Sequence, residues 1–323
     1  VKERYAKNRL RVMRQVHYST SNRNSIDLVL FVNGVPVATI ELKTDFTQGI
    51  DDAKNQYKTD RNPRDPQTKK EEPLLKFKRG ALVHFAVSTS EVWMTTKLNG
   101  MDSFFLPFNK GFEGGKGNPP NPDGYQTAYL WEEIFQKDRW LKILESFVQL
   151  EVKTTTDKAG AKKTKETLIF PRYHQLDAVT KLISAVKTEG AGKNYLFQHS
   201  AGSGKSNTIG WSAHQLSTLH NASDKKLFDT VIVITDRTVL DEQLKDTIAQ
   251  FSSTAGVVIS IDSDKGSKSG QLVEALTNGS MIVIVTLQTF PFILKEIRET
   301  TTLKNRNFAV IADEAHSSQT GSS

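Results

Sequence analysis

Apolar and polar positions alternate with a period of two near the start of the chain. Residues 9–18 put Leu10, Val12 and Val16 on one side and Arg11 and Met13 on the other, which predicts a strand. Ile26-Asp-Leu-Val-Leu-Phe-Val32 and Val35-Pro-Val-Ala-Thr-Ile-Glu-Leu-Lys43 flank Asn33-Gly34, a strong hairpin signal. Residues 48–61 then switch to helical spacing, with Ile50, Ala53 and Tyr57 along one stripe. After a basic, proline-broken connector over 63–78, Leu82-Val-His-Phe-Ala-Val87 and Val92-Trp-Met-Thr-Thr96 read as further strands of the same sheet. His84 lies inside an apolar run and is expected to be a core histidine, not a ligand. A long glycine- and proline-rich loop over 113–124 follows, and its Gly-Gly-Lys-Gly cannot bind phosphate because prolines stand where a helix would have to start.

The pattern changes in the second half. Residues 127–150 predict a helix, broken near Asp138, with Trp131, Ile134, Phe135, Leu141, Leu144, Phe147 and Val148 as its packing stripe. Residues 151–167 hold almost no large apolar side chain and predict a flexible linker. A helix opening near Phe170-Pro-Arg-Tyr-His-Gln175 buries Leu176, Val179, Leu182, Ile183 and Val186. Tyr195-Leu-Phe-Gln198 predicts a short strand, followed by a helix through Leu216. Thr230-Val-Ile-Val-Ile-Thr235 and Met281-Ile-Val-Ile-Val-Thr286 are apolar on both faces, as in parallel strands covered by helices. With a helix from Thr238 to Phe251, a short strand near Val257 and Val258, and a helix near Leu272 to Leu276, the alternation predicts a doubly wound parallel sheet whose ligands gather at the carboxyl ends of its strands.

Composition bounds this α/β picture. The 323 residues can fill two domains, taken as 1–150 and 168–323 around the 151–167 linker. No apolar run approaches the roughly 20 residues of a bilayer crossing, so no membrane partner is expected. The absence of cysteine excludes disulfides and thiolate zinc and fits the cytoplasm. A net charge of +7 favours a polyanionic partner such as nucleic acid. The histidines His174, His199 and His316 form no metal-ligand spacing.

Two stretches carry candidate chemistry. In His199-Ser-Ala-Gly-Ser-Gly-Lys-Ser206, Gly202, Ser203 and Gly204 let backbone N–H groups curl around an anion at a helix start. Lys205 would reach the β and γ phosphates of ATP and Ser206 would hold Mg²⁺, although His199 replaces the first glycine of the full pattern. Phe308-Ala-Val-Ile-Ala ends on Asp313 and Glu314, where a nucleotide site needs a Mg²⁺ ligand and a group to orient water. Arg172 and Gln175, just before the phosphate loop, can meet an adenine edge.

The second stretch is Asp27…Glu41-Leu-Lys43. Glu41 and Lys43 share one strand face, and with Asp27 on the partner strand they could ligate a metal and position water for phosphodiester hydrolysis. The hairpin decides this. A two-residue Asn33-Gly34 loop pairs Asp27 with Ile40 and turns it away from Glu41. A three-residue loop, with Gly34 left-handed in a bulge, pairs it with Thr39 and restores the shared face; the three-residue loop is expected.

Asp27…Glu41-Leu-Lys43 resembles the PD-(D/E)xK nuclease superfamily, in whose type I restriction members a Gln and a Tyr on the next helix support the site. Gln56 and Tyr57 stand there, adjacent and not at the usual spacing. Together with Asn118-Pro-Pro-Asn-Pro…Tyr129-Leu-Trp-Glu-Glu, Phe170-Pro-Arg-Tyr-His-Gln175, the phosphate loop, Val233-Ile-Thr-Asp-Arg237, Thr286-Leu-Gln288 and Asp313-Glu-Ala-His316, the chain resembles the motor and nuclease subunit of type I restriction-modification enzymes. The resemblance implies a mixed-sheet nuclease domain followed by the first RecA-like domain of a superfamily 2 motor. That motor would pump double-stranded DNA using Mg·ATP. It also implies that Asp236, Arg237, Thr286 and Gln288 touch DNA, that His316 couples nucleotide state to the motor, and that methyltransferase and specificity subunits are partners. A second motor domain, which such enzymes need, is expected to lie outside this sequence, leaving a weak ATPase. Competing readings make the first domain a non-cleaving DNA clamp, or make ATP a device for ordering an assembly scaffold.

Overall fold

The computed structural model describes residues 2–156, 160–235, 238–251, 257–261, 268–277, 279–303 and 305–314. They form two compact units, Val1–His174 and Gln175–Ser323.

The first unit opens with a short helix α1 (Lys2–Ala6) and a six-stranded mixed sheet. Its strands β1 (Leu10–His17), β2 (Ser25–Val32), β3 (Val35–Leu42), β4 (Val83–Val87), β5 (Val92–Thr95) and β6 (Leu106–Pro107) lie side by side in chain order. Every neighbouring pair is antiparallel except β3 and β4. A parallel pair needs a long crossover, and here it contains helix α2 (Ile50–Thr59). Ala53 and Tyr57 bury the predicted stripe of α2 against Val29, Ala86, Leu98 and Phe105. Phe85, one residue from Ala86, points to the other face and packs edge-on to Phe108, Phe135 and Phe170.

The β2–β3 hairpin differs from expectation in its turn but not in the face it presents. Val32 pairs with Val35, so the loop is the two-residue Asn33-Gly34, with φ of 52° and 87°. The expected three-residue loop does not form. Two residues that accept left-handed φ already match the strand twist. The register then shifts between Leu30 and Phe31, which pair with Ala38 and Pro36 and leave Val37 as a bulge. That extra residue changes the parity of every pair beyond it. Leu28 therefore meets Ile40, and the next position sets Asp27 opposite Glu41.

Residues 127–150 are less regular than predicted. A π-helical turn, Leu130–Ile134, is followed by α3 (Lys137–Ser146). Trp131 is exposed, and Trp140 and Ile143 are buried in its stead. Where the polar composition predicts a linker, β7 (Gln149–Thr156) and β8 (Lys162–Ile169) pair as an antiparallel ribbon. Threonine-rich strands pair through their backbones without needing a large apolar face, which composition alone does not reveal.

Helix α4 (Tyr173–Glu189) leads into the second unit. Helix α5 (Lys205–Ser217), β9 (Thr230–Thr235), α6 (Thr238–Gln250), β10 (Val258–Ser260), α7 (Lys268–Thr277), β11 (Ile282–Thr286), α8 (Phe290–Glu299) and β12 (Phe308–Ala312) follow. The four strands form a parallel sheet in the order β10-β11-β9-β12. Both faces are covered, as the two-sided apolar runs require. Val231, Val233 and Ile282 pack against Ile209, Ala213, Leu244 and Ile248, while Ile232, Ile234 and Val283 pack against Ala275, Leu276, Phe290 and Ile297.

The predicted strand at Tyr195-Leu-Phe-Gln198 is not part of this sheet. The segment is irregular, and Tyr195, Leu196 and Phe197 are exposed, Leu196 by 84%. It follows Gly190 and Gly192, both with positive φ. Three apolar residues after such turns gain little at a sheet edge unless both of their faces are covered.

Candidate functional site

The first centre lies at the end of the β2–β3 pair. Glu41 is fully buried and receives a hydrogen bond from Arg61 Nε to Oε1 at 2.6 Å. Arg61 also donates from Nη2 to the Ser25 carbonyl at 2.8 Å, tying the end of the α2 segment to the start of β2. Asp27 Oδ2 accepts the Leu42 N–H at 2.8 Å, and its Oδ1 accepts Gln15 Nε2 at 3.0 Å. Burial pushes the Glu41 carboxyl up to about 8, the Arg61 guanidinium opposes that rise, and the neighbouring Asp27 adds to it.

Glu41 Oε2 is buried and has no hydrogen-bond partner. Such an atom costs about 1–3 kcal/mol or more if left unpaired. With Asp27 it forms a hard-oxygen donor pair suited to Mg²⁺, which takes one or two carboxylates and fills its remaining positions with water. No group of three His, Cys, Asp or Glu side chains able to hold a metal occurs among the described residues. Lys43 follows β3, half-buried, its N–H bonded to the Val87 carbonyl at 2.9 Å. Asp27 and Glu41 thus share one sheet face, and Lys43 lies one residue beyond the end of β3.

Behind Glu41, Thr39 Oγ1 meets Tyr57 Oη at 2.8 Å and His84 Nδ1 at 2.7 Å. All three are buried, and burial lowers His84 to about 3, so it is a neutral core histidine as expected. Tyr57 is therefore directed onto the strand that carries Glu41, from the core side. Gln56 is half-buried, with Oε1 lacking a partner. Arg61 escapes sequence reasoning, because a single arginine after a helix end has no distinguishing pattern; its burial does.

The second centre is the phosphate-type loop. Gly202 and Gly204 have φ of 72° and 85°, and Gly204 caps α5, which Lys205 begins. Gln175, buried at the start of α4, donates Nε2 to the Gly204 carbonyl at 2.9 Å. A Cβ on Gly204 would come within 2.4 Å of that nitrogen. Gln175 thus supports the loop directly, a contact the sequence did not suggest. His199 Nδ1 lies 3.1 Å from the hydroxyl of buried Ser203, while Ser206 is exposed.

Lys205 Nζ stands 2.8 Å from Asp313 Oδ1 and also pairs with Glu314. Partial burial lowers the lysine, but the bonds to Asp313 and Glu314 outweigh it and leave the ammonium raised. The Asp313 N–H bonds to the Ile234 carbonyl at 2.9 Å, which fixes the acidic pair to the carboxyl end of β9. A cleft of about 320 Å³ opens there, lined by Thr235, Leu287, Phe290, Val310, Ala312 and Asp313. Thr286 closes a local turn with Thr289 through a hydroxyl contact of 2.9 Å, and Gln288 is exposed. Asp236, Arg237 and His316 lie outside the described residues.

Comparison with known proteins follows the same division. Residues 2–103 match the family described as type I restriction enzyme R protein N terminus, and residues 174–323 match the SWI2/SNF2 ATPase family. The MjaIXP type I restriction enzyme endonuclease subunit assigned in Methanocaldococcus jannaschii is 26% identical over 323 residues, which cover 95% of this chain and 28% of that protein. The HindI type I restriction enzyme endonuclease subunit of Haemophilus influenzae is 28% identical over 300 residues, covering 91% of this chain and 26% of that protein. The chain spans about a quarter of the length of these relatives. No helix among the described residues is long and apolar enough to cross a membrane. With both halves matched in the order in which their two centres occur, the matches together support placing the chain with the endonuclease (R) subunits of type I restriction enzymes, as a part of one.

Proposed function

We propose that the chain supplies the nuclease centre and the nucleotide-binding half-site of an ATP-dependent type I restriction endonuclease, which moves duplex DNA and cuts it. Residues 1–150 form the nuclease domain and 168–323 the first motor domain, with the β7–β8 ribbon between them. The observation that carries the reading is Lys205 within 2.8 Å of Asp313, with Glu314 on the same ammonium, more than a hundred positions along the chain. A lysine so placed neutralises phosphate charge. Asp313 and the Ser206 hydroxyl are the oxygens that would hold Mg²⁺, and Glu314 is left to orient water. The positive φ of Gly202 and Gly204 curls the loop at the start of α5, where the helix N-terminus favours an anion. Gln175 and Arg172 would border the adenine, and Thr286, Gln288, Asp236 and Arg237 are the residues that would contact DNA.

In the nuclease centre, bound Mg²⁺ would polarise the scissile phosphate and lower the pKa of a water. Glu41 Oε2 and Asp27 supply the oxygens that hold it. Arg61 holds Glu41 through Oε1 and leaves Oε2 for the metal, and Lys43 offers an ammonium to the charge that develops on the phosphate. The methyltransferase and specificity subunits would choose the DNA sequence.

The test is cleavage of supercoiled DNA by the complete subunit assembled with those partners. Lys205→Ala is expected to abolish both ATP turnover and cutting, whereas Glu41→Ala and Lys43→Ala abolish cutting and leave turnover intact. Cleavage that survives Glu41→Ala would remove the nuclease assignment.

A further inference from the structure

The β7–β8 ribbon is left unexplained by either centre. Its strands pair from Gln149↔Ile169 to Thr156↔Lys162, and residues 152–156 and 162–165 are all exposed. Its base is anchored: Thr96 Oγ1 donates to the Leu168 carbonyl at 2.8 Å, and Lys78 bonds Glu166 at 2.7 Å. Alternation puts Lys153, Thr155, Lys163 and Lys165 on one face and Glu166 on the other.

On that lysine face Lys153 stands directly opposite Lys165. Like charges across a ladder are destabilising, and a fold gains nothing from this pair by itself. Glu151, 3.0 Å from Lys153, partly compensates one of them. Lys163 and Lys165 make no ion pair within 4 Å among the described residues. An exposed two-stranded ribbon is one of the two elements the DNA major groove admits, and its lysines can reach the flanking phosphates.

We propose that the Lys153, Lys163 and Lys165 face of this ribbon grips the phosphate backbone of duplex DNA. The inference rests on the reading of the protein as a DNA enzyme and adds a contact surface to it. Neutralising phosphates releases counterions, so each contact steepens the salt dependence of binding by roughly 0.9 in log–log slope.

The experiment is a fluorescence-anisotropy titration of a labelled duplex with the whole 323-residue chain across a range of salt concentrations. Three forms are compared with the wild type: K153Q/K163Q/K165Q, the same three positions changed to Arg, and K187Q/K225Q/K295Q, which removes equal charge from exposed sites elsewhere. The ribbon glutamine variant should bind at least about tenfold more weakly at low salt and lose roughly 2 to 3 from the slope. The arginine variant should bind like the wild type, and the distant variant should change affinity by less than about twofold. Equal losses in the two glutamine variants, or none in the ribbon variant while the wild type binds, overturn the ribbon alone. A wild type that shows no salt-dependent binding overturns both the ribbon and the DNA reading. Selective binding of an acidic protein, with duplex ignored, assigns the face to a different partner and also overturns the proposal.

Discussion

Glu41 meets Arg61 at 0% and 6% side-chain exposure, whereas Lys205 meets Asp313 and Glu314 at 35%, 14% and 35%. Both are ion pairs between segments distant in sequence, yet solvent makes them different objects. Around Glu41 neither charge can turn to water, so the pair is held by the packing of β2, β3 and the end of α2, and removing one member strands the other. Around Lys205 every partner retains access to water, so the groups can exchange one another for an incoming ligand at little cost. A buried pair fixes geometry, and a half-open pair leaves groups available to a ligand.

The largest effect tests the buried side of this contrast. Arg61→Met should destabilise the first unit by about 3–5 kcal/mol in urea unfolding above pH 8, where the Glu41 charge is left without compensation, and by less near pH 6, where Glu41 is protonated. The Glu41→Met, Arg61→Met double variant should recover most of that loss. Failure to recover would mean that Arg61 acts through its Ser25 bond and not through Glu41.

Gly204→Ala comes next, at about 1–3 kcal/mol, since it joins an unfavourable positive φ to a clash with Gln175. Gly202 has a similar φ with open space around its Cβ position, so Gly202→Ala should cost less. Equal shifts in melting temperature would show that Gln175 yields and does not shape the loop.

His84 sharpens the contrast through pH. Its folded pKa, lowered to about 3 by burial, lies below the unfolded value near 6.5, so the folded state binds the proton less well. The stability it contributes is present above pH 6.5 and falls as pH drops toward 3, by up to ~1.4 kcal/mol per pH unit. His84→Asn should flatten the difference between unfolding at pH 6.5 and at pH 4.5; an unchanged slope would assign the effect to carboxylates.

The smallest effect is expected at the exposed pair. Asp313→Asn should change stability by less than about 1 kcal/mol, because Lys205 keeps water and Glu314 as partners. A loss as large as that of Arg61→Met would erase the distinction between the two centres.

Much of the fold is legible in the chain itself. The alternating and apolar runs of the first half give β1 to β5, and the two-sided apolar runs of the second half give a parallel sheet with both faces covered. The phosphate loop is equally plain, because its chemistry resides in backbone torsions that only glycines at Gly202 and Gly204 supply. The hairpin was harder: Asn33-Gly34 correctly marks a turn, but the bulge at Val37 has no local signature, and it sets Asp27 opposite Glu41. Composition mistook the β7–β8 ribbon for a linker because its pairing energy lies in backbone hydrogen bonds. Tyr195-Leu-Phe-Gln198 looked like a strand because apolarity is local, whereas a partner edge is not.

Residue types and spacing by themselves determined the two α/β units, the loop that can cradle phosphate, and the carboxylates available for metal. Only the folded chain decided which of those groups meet. Arg61 on Glu41, Gln175 under Gly204 and Lys205 against Asp313 join positions between 20 and more than a hundred residues apart. Contacts at such separations are set by packing and burial, which no local pattern encodes.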